Sequence, residues 1–164
     1  MSSSPRHPNA RLIENLYAAI QKADPTAITA CYADDAYFVD IAFRLRGRER
    51  IMEMWRLVCH SRPEVTFDLN SISANEHKGS GRWRAKYCYG KTDSEPGRRI
   101  DNTLTSEFDF GGGRIVRHRD CCDAMAWARQ AFPFPKSLIA GSIAPLRRWI
   151  AAKKLKEFTE KSKH

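Results

Sequence analysis

The sequence predicts an α+β fold: helices first, then one antiparallel sheet with two unlike faces, then a helical C-terminus. Three observations carry this. Apolar residues recur at helical spacing through roughly the first sixty positions, the period switches to two from Val65 onward, and Gly, Pro and Ser separate the alternating segments. Helices that precede strands, rather than alternating with them, pack on one face of an antiparallel sheet.

The first eight residues, with Pro5 and Pro8, read as a loose arm. From Asn9, available as a cap, Leu12, Ile13, Leu16, Tyr17 and Ile20 mark one helical face. Asp24-Pro25 restarts a helix, with Ile28, Cys31 and Tyr32 on one side. Ala36 to Asp40 is aromatic and β-branched, a short strand. Arg48 to His60 is a third helix, with Ile51, Met54, Trp55 and Val58 inward and Pro63 ending it. Alternation then defines strands around Val65–Leu69, Trp83–Tyr89 and Ile100–Phe108, and a last one over Arg114–Cys122. Gly111-Gly112-Gly113, between two such strands, reads as a hairpin turn rather than a phosphate cradle. A short helix covers Ala124 to Ala131, capped by Asp123, and Phe132-Pro133-Phe134-Pro135 interrupts it. A last helix starts near Ile143, with Ile143, Leu146, Trp149, Ile150 and Phe158 as its apolar stripe. The organisation expected is an arm over 1–8, a domain over 9–131 and an extension over 132–164.

At 164 residues one domain suffices, and 42% hydrophobic residues argue against wholesale disorder. No apolar run is long enough to span a bilayer, and the N-terminus shows no secretory signal. Five scattered cysteines then fit reduced thiols in a cytoplasm. Zinc, P-loop and nucleophile-elbow motifs are absent, and neighbouring Cys121 and Cys122 point to opposite faces of a strand. The net charge of +9 suggests a nucleic-acid partner, but no recognition motif accompanies it. From Ile143 onward seven basic residues face two acidic ones, so more than half of the excess belongs to the last helix. Its lysines read as a solvated face, so neither nucleic acid nor membrane contact is expected.

Tyr32-Ala33-Asp34-Asp35-Ala36, then Asp40, then Arg46-Gly47-Arg48-Glu49-Arg50-Ile51 resembles the signature of the SnoaL-like branch of the NTF2-like superfamily. Gly113 through Asp123 is similar to the last strand of the same proteins. The group includes ketosteroid isomerase, limonene epoxide hydrolase and the polyketide cyclases. The resemblance, from about Asn9 to Gln130, implies a cone: a strongly curved sheet wraps a long helix and leaves an apolar pocket at the open end. It also implies a homodimer, through a sheet face carrying Arg82, Arg84, Lys86, Arg99, Asp101 and Glu107. Asp40 falls where the isomerase places its general base. The isomerase's two oxyanion donors, a tyrosine and a protonated aspartic acid, fall on Leu16 and Ser106, with Tyr17 about 100° away around the helix. Asp120 matches one catalytic carboxylate of the epoxide hydrolase, whose Arg-x-Asp pair has no counterpart in Trp83-Arg84-Ala85-Lys86-Tyr87.

Asp40 is a carboxylate in an apolar strand, where burial raises its pKa toward the range of a general base. The alternative is a strand-end Asp bonding a turn. Asp120 and His118 share a strand face and can exchange a proton with substrate or water; the alternative is an ion pair with a nearby arginine. Tyr17, Phe38, Trp55, Trp83, Tyr87 and Phe108 line a cavity or fill the core, and Asn102 and Ser106 supply polar groups on that face. The function expected is a cofactor-free, metal-free isomerase, cyclase or hydrolase of a small apolar carbonyl or epoxide compound, with Asp40 as base. The alternative is a non-catalytic ligand-binding or dimerisation module of the same fold.

Overall fold

The computed structural model describes residues 7–61, 63–90, 94, 96–134 and 136–162. Helices α1 (Pro8–Gln21) and α2 (Pro25–Ala30) lead into strand β1 (Tyr32–Val39), the short β2 (Arg44–Arg46) and helix α3 (Arg48–His60). Strands β3 (Glu64–Ala74), β4 (Lys78–Tyr89), β5 (Arg98–Gly111) and β6 (Arg114–Cys121) come next. Helices α4 (Ala124–Ala131), α5 (Lys136–Ser142) and α6 (Ala144–Lys161) end the chain. Most of the loose-arm segment, and Pro135, lie outside the described residues. The α+β class holds, with helices packed against one six-stranded curved sheet ordered β2-β1-β6-β5-β4-β3.

Local chemistry sets the boundaries. Asp24 caps α2, its carboxylate accepting from Ala27 N at 3.0 Å, with Pro25 in the first turn. The α1 cap is His7 rather than Asn9: its Nδ1 accepts from Asn9 N, while the Asn9 amide donates to Asn75 O and Glu76 O. Asn9 therefore ties α1 to the β3–β4 turn. Gly112 and Gly113 both have positive φ, 57° and 72°, as a two-residue hairpin turn between Gly111 and Arg114 requires.

Four expectations are corrected. Tyr32 opens β1 instead of extending α2, because the backbone pairs it with Ile115 of β6. That β1–β6 pairing is parallel within an otherwise antiparallel sheet, a contact between distant segments that no local pattern encodes. The short elements β2 and α5, of three and seven residues, lie below the length at which periodicity shows. On α6 the stripe is displaced: Leu155 is buried in the main core and Phe158 packs on His60 at 5.5 Å. Ile143 and Trp149 are 45% and 63% exposed.

Two apolar cores result. The main one lies between the sheet and α1 and α3, around Ile13, Leu16, Tyr17, Phe38, Trp55 and Phe108. The smaller one joins Ile100 of β5 to Trp127, Ala128 and Ala131 of α4 and Ala140 of α5. Ile41, Tyr87 and Tyr89 pack against it. No described helix is long and apolar enough to cross a membrane.

Candidate functional site

Period-two alternation turns Asn102, Ser106 and Phe108 of β5 and His118 and Asp120 of β6 to the inner face of the sheet. Register then fixes neighbours: Ser106 lies opposite Asp120, and His118 lies between Phe108 on one side and Phe38 on the other. The imidazole is boxed by those rings, with centroids at 4.5 Å and 5.0 Å.

A continuous polar chain runs through this apolar box. Trp83 Nε1 donates to Ser106 Oγ at 3.0 Å, and the Ser106 hydroxyl donates to Asp120 Oδ1. His118 Nε2 lies 2.9 Å from the same oxygen, and Tyr32 Oη lies 2.6 Å from His118 Nδ1. A neutral imidazole satisfies every member when Nε2 carries the proton and Nδ1 accepts from Tyr32. His118 is 1% and Asp120 5% exposed, so these bonds stand in for the water both groups have lost. Burial pushes the Tyr32 hydroxyl well above its ordinary range and keeps it a donor.

Two buried polar atoms beside this chain have no hydrogen-bond partner among the described residues: Tyr17 Oη and Trp55 Nε1. Tyr17 Oη lies over Gly81 and near Ser106, and Trp55 Nε1 near Tyr32, each short of an ordinary bond. Leu16 and Tyr17 are both buried, so the 100° between them does not turn Tyr17 away from the interior. α1 is enclosed widely enough to bury both neighbours. Desolvation raises the Tyr17 hydroxyl far above its usual pKa, which preserves its proton.

Asp40 comes directly after the end of β1. Its Oδ1 accepts from Ala42 N at 2.7 Å and from Phe43 N, and its own N–H donates to Phe43 O at 3.0 Å. The carboxylate therefore does bond a turn. Both bonds fall on one oxygen, which leaves the other outside them. Desolvation lifts the Asp40 pKa to about 6 against the two amides; the Asp120 charge adds to the rise and His118 opposes it. Tyr87 and Cys122 feel the Asp40 charge in turn, and Cys122 engages Asn102. Asp40, Tyr87, Cys122, Asn102, His118 and Asp120 thus form one electrostatic neighbourhood.

The alternative reading, an arginine paired with Asp120, is not seen among the described residues: Arg117 and Arg119, on the outer face, approach Asp109 at 3.8 Å and Glu107 at 3.9 Å instead. Asp123 caps α4 as expected, accepting from Met125 N and Ala126 N at 2.9 Å. Phe38, Trp55, Ser106 and Phe108 pack closely in the core. Two surface depressions reach only the edge of this group, at Trp83 and Tyr17. One, of about 240 Å³, is bordered by Phe67, Trp83, Arg84 and Thr103, and one of about 330 Å³ by Glu14, Tyr17, Phe67 and Leu69. Sequence reasoning passed over Tyr32, Cys122 and Trp127. Tyr32 alone carried a signal, as the first residue of the Tyr-Ala-Asp-Asp-Ala segment. Among the described residues no group of three or more His, Cys, Asp or Glu side chains is arranged to hold a metal ion.

A family model described as a SnoaL-like domain matches residues 13–118. No curated protein matches the chain. Among solved structures, a protein assigned as a polyketide cyclase from Xanthomonas campestris pv. campestris superposes with a TM-score of 0.66 at 19% identity. The match covers 79% of this chain and 100% of that one. An epoxide hydrolase of the LEH-like type from M. tuberculosis gives 0.61 at 21% identity, covering 81% and 93%. TsrD from Streptomyces laurentii gives 0.62 at 22%, covering 79% and 98%. At such identities the likeness establishes the fold.

Proposed function

Since the chain belongs to the SnoaL-like family, we propose that it acts on a small apolar molecule bearing a carbonyl or an epoxide, with Asp40 as general base. The observation that carries this reading is a carboxylate held by one oxygen, desolvated, and poised at about 6. Above that pH the unheld oxygen can remove a proton from a carbon beside a carbonyl, or from an attacking water. In the first case the electron pair left on carbon moves onto the carbonyl oxygen. Tyr17 Oη and Trp55 Nε1, buried donors without partners, are the groups available to stabilise that oxygen. Asp40 itself returns that proton at the second position, while Asp120, held by Ser106 and His118, assists through its charge, which helps keep Asp40 basic. This chemistry invokes neither metal nor cofactor, and it operates in the reducing cytoplasm that five free cysteines suit.

The experiment is deuterium wash-in at the α-carbon of small cyclic ketones, alongside ¹⁸O incorporation into small cyclic epoxides. The wild type should catalyse one of the two, and Asp40→Asn should slow it by about a hundredfold or more. A second reading, ligand binding without turnover, is favoured by the turn that Asp40 builds. Saturable binding of the same probes without exchange or hydration would establish it and remove the first.

We place a second copy of the chain against the outer sheet face. There Arg84 forms a bidentate pair with Asp101 at 2.6 Å, and Arg82, Arg99 and Glu107 are exposed. A face of mixed charge suits a wet interface with pairs crossing between copies.

A further inference from the structure

The matched family region ends at residue 118, before α4 begins, and about a fifth of this chain has no counterpart in the structural relatives it spans. The chain beyond β6 is nevertheless tied to the Asp40 end of the molecule. Arg147 of α6 donates from Nε to Ile41 O at 3.3 Å, and from Nη1 to Ala140 O and Gly141 O at 2.7 Å each. Ala140 and Gly141 lie in the last turn of α5, where helix carbonyls lack intrahelical partners and the dipole is negative. One planar guanidinium therefore joins α5 and α6 to the turn whose amides hold Asp40. Nearby, Trp127 Nε1 of α4 donates to Tyr87 Oη at 2.8 Å, and Lys154 Nζ of α6 lies 4.2 Å from the Tyr89 ring centre. Gly141 seats α5 on α4 so closely that a Cβ there would meet Met125 Sδ at 2.6 Å.

We infer that Arg147 is a positioning residue for Asp40: it latches the C-terminal helices to the 40–43 turn and so completes a site that the family region alone leaves open. The inference rests on the reading of Asp40 as the reacting group, and it concerns how that group is held. The latch acts on backbone, fixing Ile41 O while Asp40 Oδ1 receives Ala42 N and Phe43 N on the same turn. It also joins that turn to the smaller core, against which Ile41 packs. The titratable groups facing Asp40 are Tyr87 from β4, His118 and Asp120 from β6, and Cys122 beyond it. The latch carries its charge to carbonyl groups instead.

The test uses the full chain and needs no substrate. Carboxyl-carbon NMR follows the Asp40 titration, and native-state hydrogen exchange follows the Ala42 and Phe43 amides. In Arg147→Gln those two amides should exchange at least tenfold faster, after allowance for global stability, and the Asp40 midpoint should rise above about 6, because the two amide bonds that loosen are the ones that lower it. Arg147→Lys keeps the charge but cannot span all three carbonyls, and should give intermediate values. A folded Arg147→Gln protein with wild-type exchange and midpoint would overturn the inference. Should that variant fail to fold, wild-type values in Arg147→Lys would overturn it equally. Full turnover in Asp40→Asn would instead remove the general-base reading and leave both readouts intact.

Discussion

Asp40 meets two opposing demands, since the turn needs its oxygen as an acceptor while burial penalises its charge. With a folded pKa of about 6 against an ordinary 3.8, the folded state keeps a proton that the unfolded chain has released. Its contribution to stability is therefore complete below about pH 4 and is lost as pH rises through 6, a change of about 2–3 kcal/mol. Asp40→Asn retains the acceptor and removes the titration. The variant should match the wild type near pH 4 and exceed it by about 1–3 kcal/mol near pH 8, measured by urea unfolding at both values. An equal difference at the two pH values would show a hydrated carboxylate. At the other end of the polar chain, Tyr32→Phe strips His118 Nδ1 of its donor in a closed box. It should cost about 1–3 kcal/mol in the same unfolding measurement, and a neutral result would mean that Nδ1 finds another partner. At this scale the sequence marked Asp40, His118 and Asp120 as polar groups in apolar surroundings, and the structure buries His118 and Asp120 on β6 while Asp40 lies in the turn after β1. Tyr32 was assigned to the wrong element, because a tyrosine next to a helix end satisfies helical and strand periods alike.

Among the elements, α1 lies so close to β4 that glycine is required between them. A Cβ at Gly81 would stand 2.3 Å from Tyr17 Oη and 3.0 Å from its ring. Gly81→Ala should destabilise by about 1–3 kcal/mol through overpacking. Combined with Tyr17→Phe, which removes the nearest atom, the loss should be less than additive, as a double-mutant cycle in thermal unfolding would reveal. Strict additivity would mean that β4 yields instead of the helix. α3 matches its expected span because a strong apolar face and a following proline bound it. β2 and α5 escaped notice for want of length. The stripe on α6 was mislocated because its apolar residues are spread around the helix, so only packing decides that Leu155 goes inward and Trp149 outward.

At the scale of the whole molecule, the sequence carries the fold class through its change of period, while strand order and the docking of α4–α6 depend on distant contacts. The excess positive charge includes arginines of the outer sheet face, Arg44, Arg46, Arg117 and Arg119, which flank Tyr37 and Val39 in register. A dimer formed through that sheet should respond to ionic strength. Its dissociation constant should rise about tenfold between about 50 mM and 500 mM NaCl, by sedimentation equilibrium. A chain that stays monomeric at low salt would remove the second copy from the outer face. The parallel pairing of β1 with β6 has a consequence in time. Tyr32 and His118 bond across 86 residues, so the sheet cannot close until the last strand has been made. A chain emerging in order from the ribosome can pair one edge of β1 with β2 early, but it exposes the β6-facing edge through most of its synthesis. Folding of this protein should thus be set by the arrival of its final strand and be slow for its size.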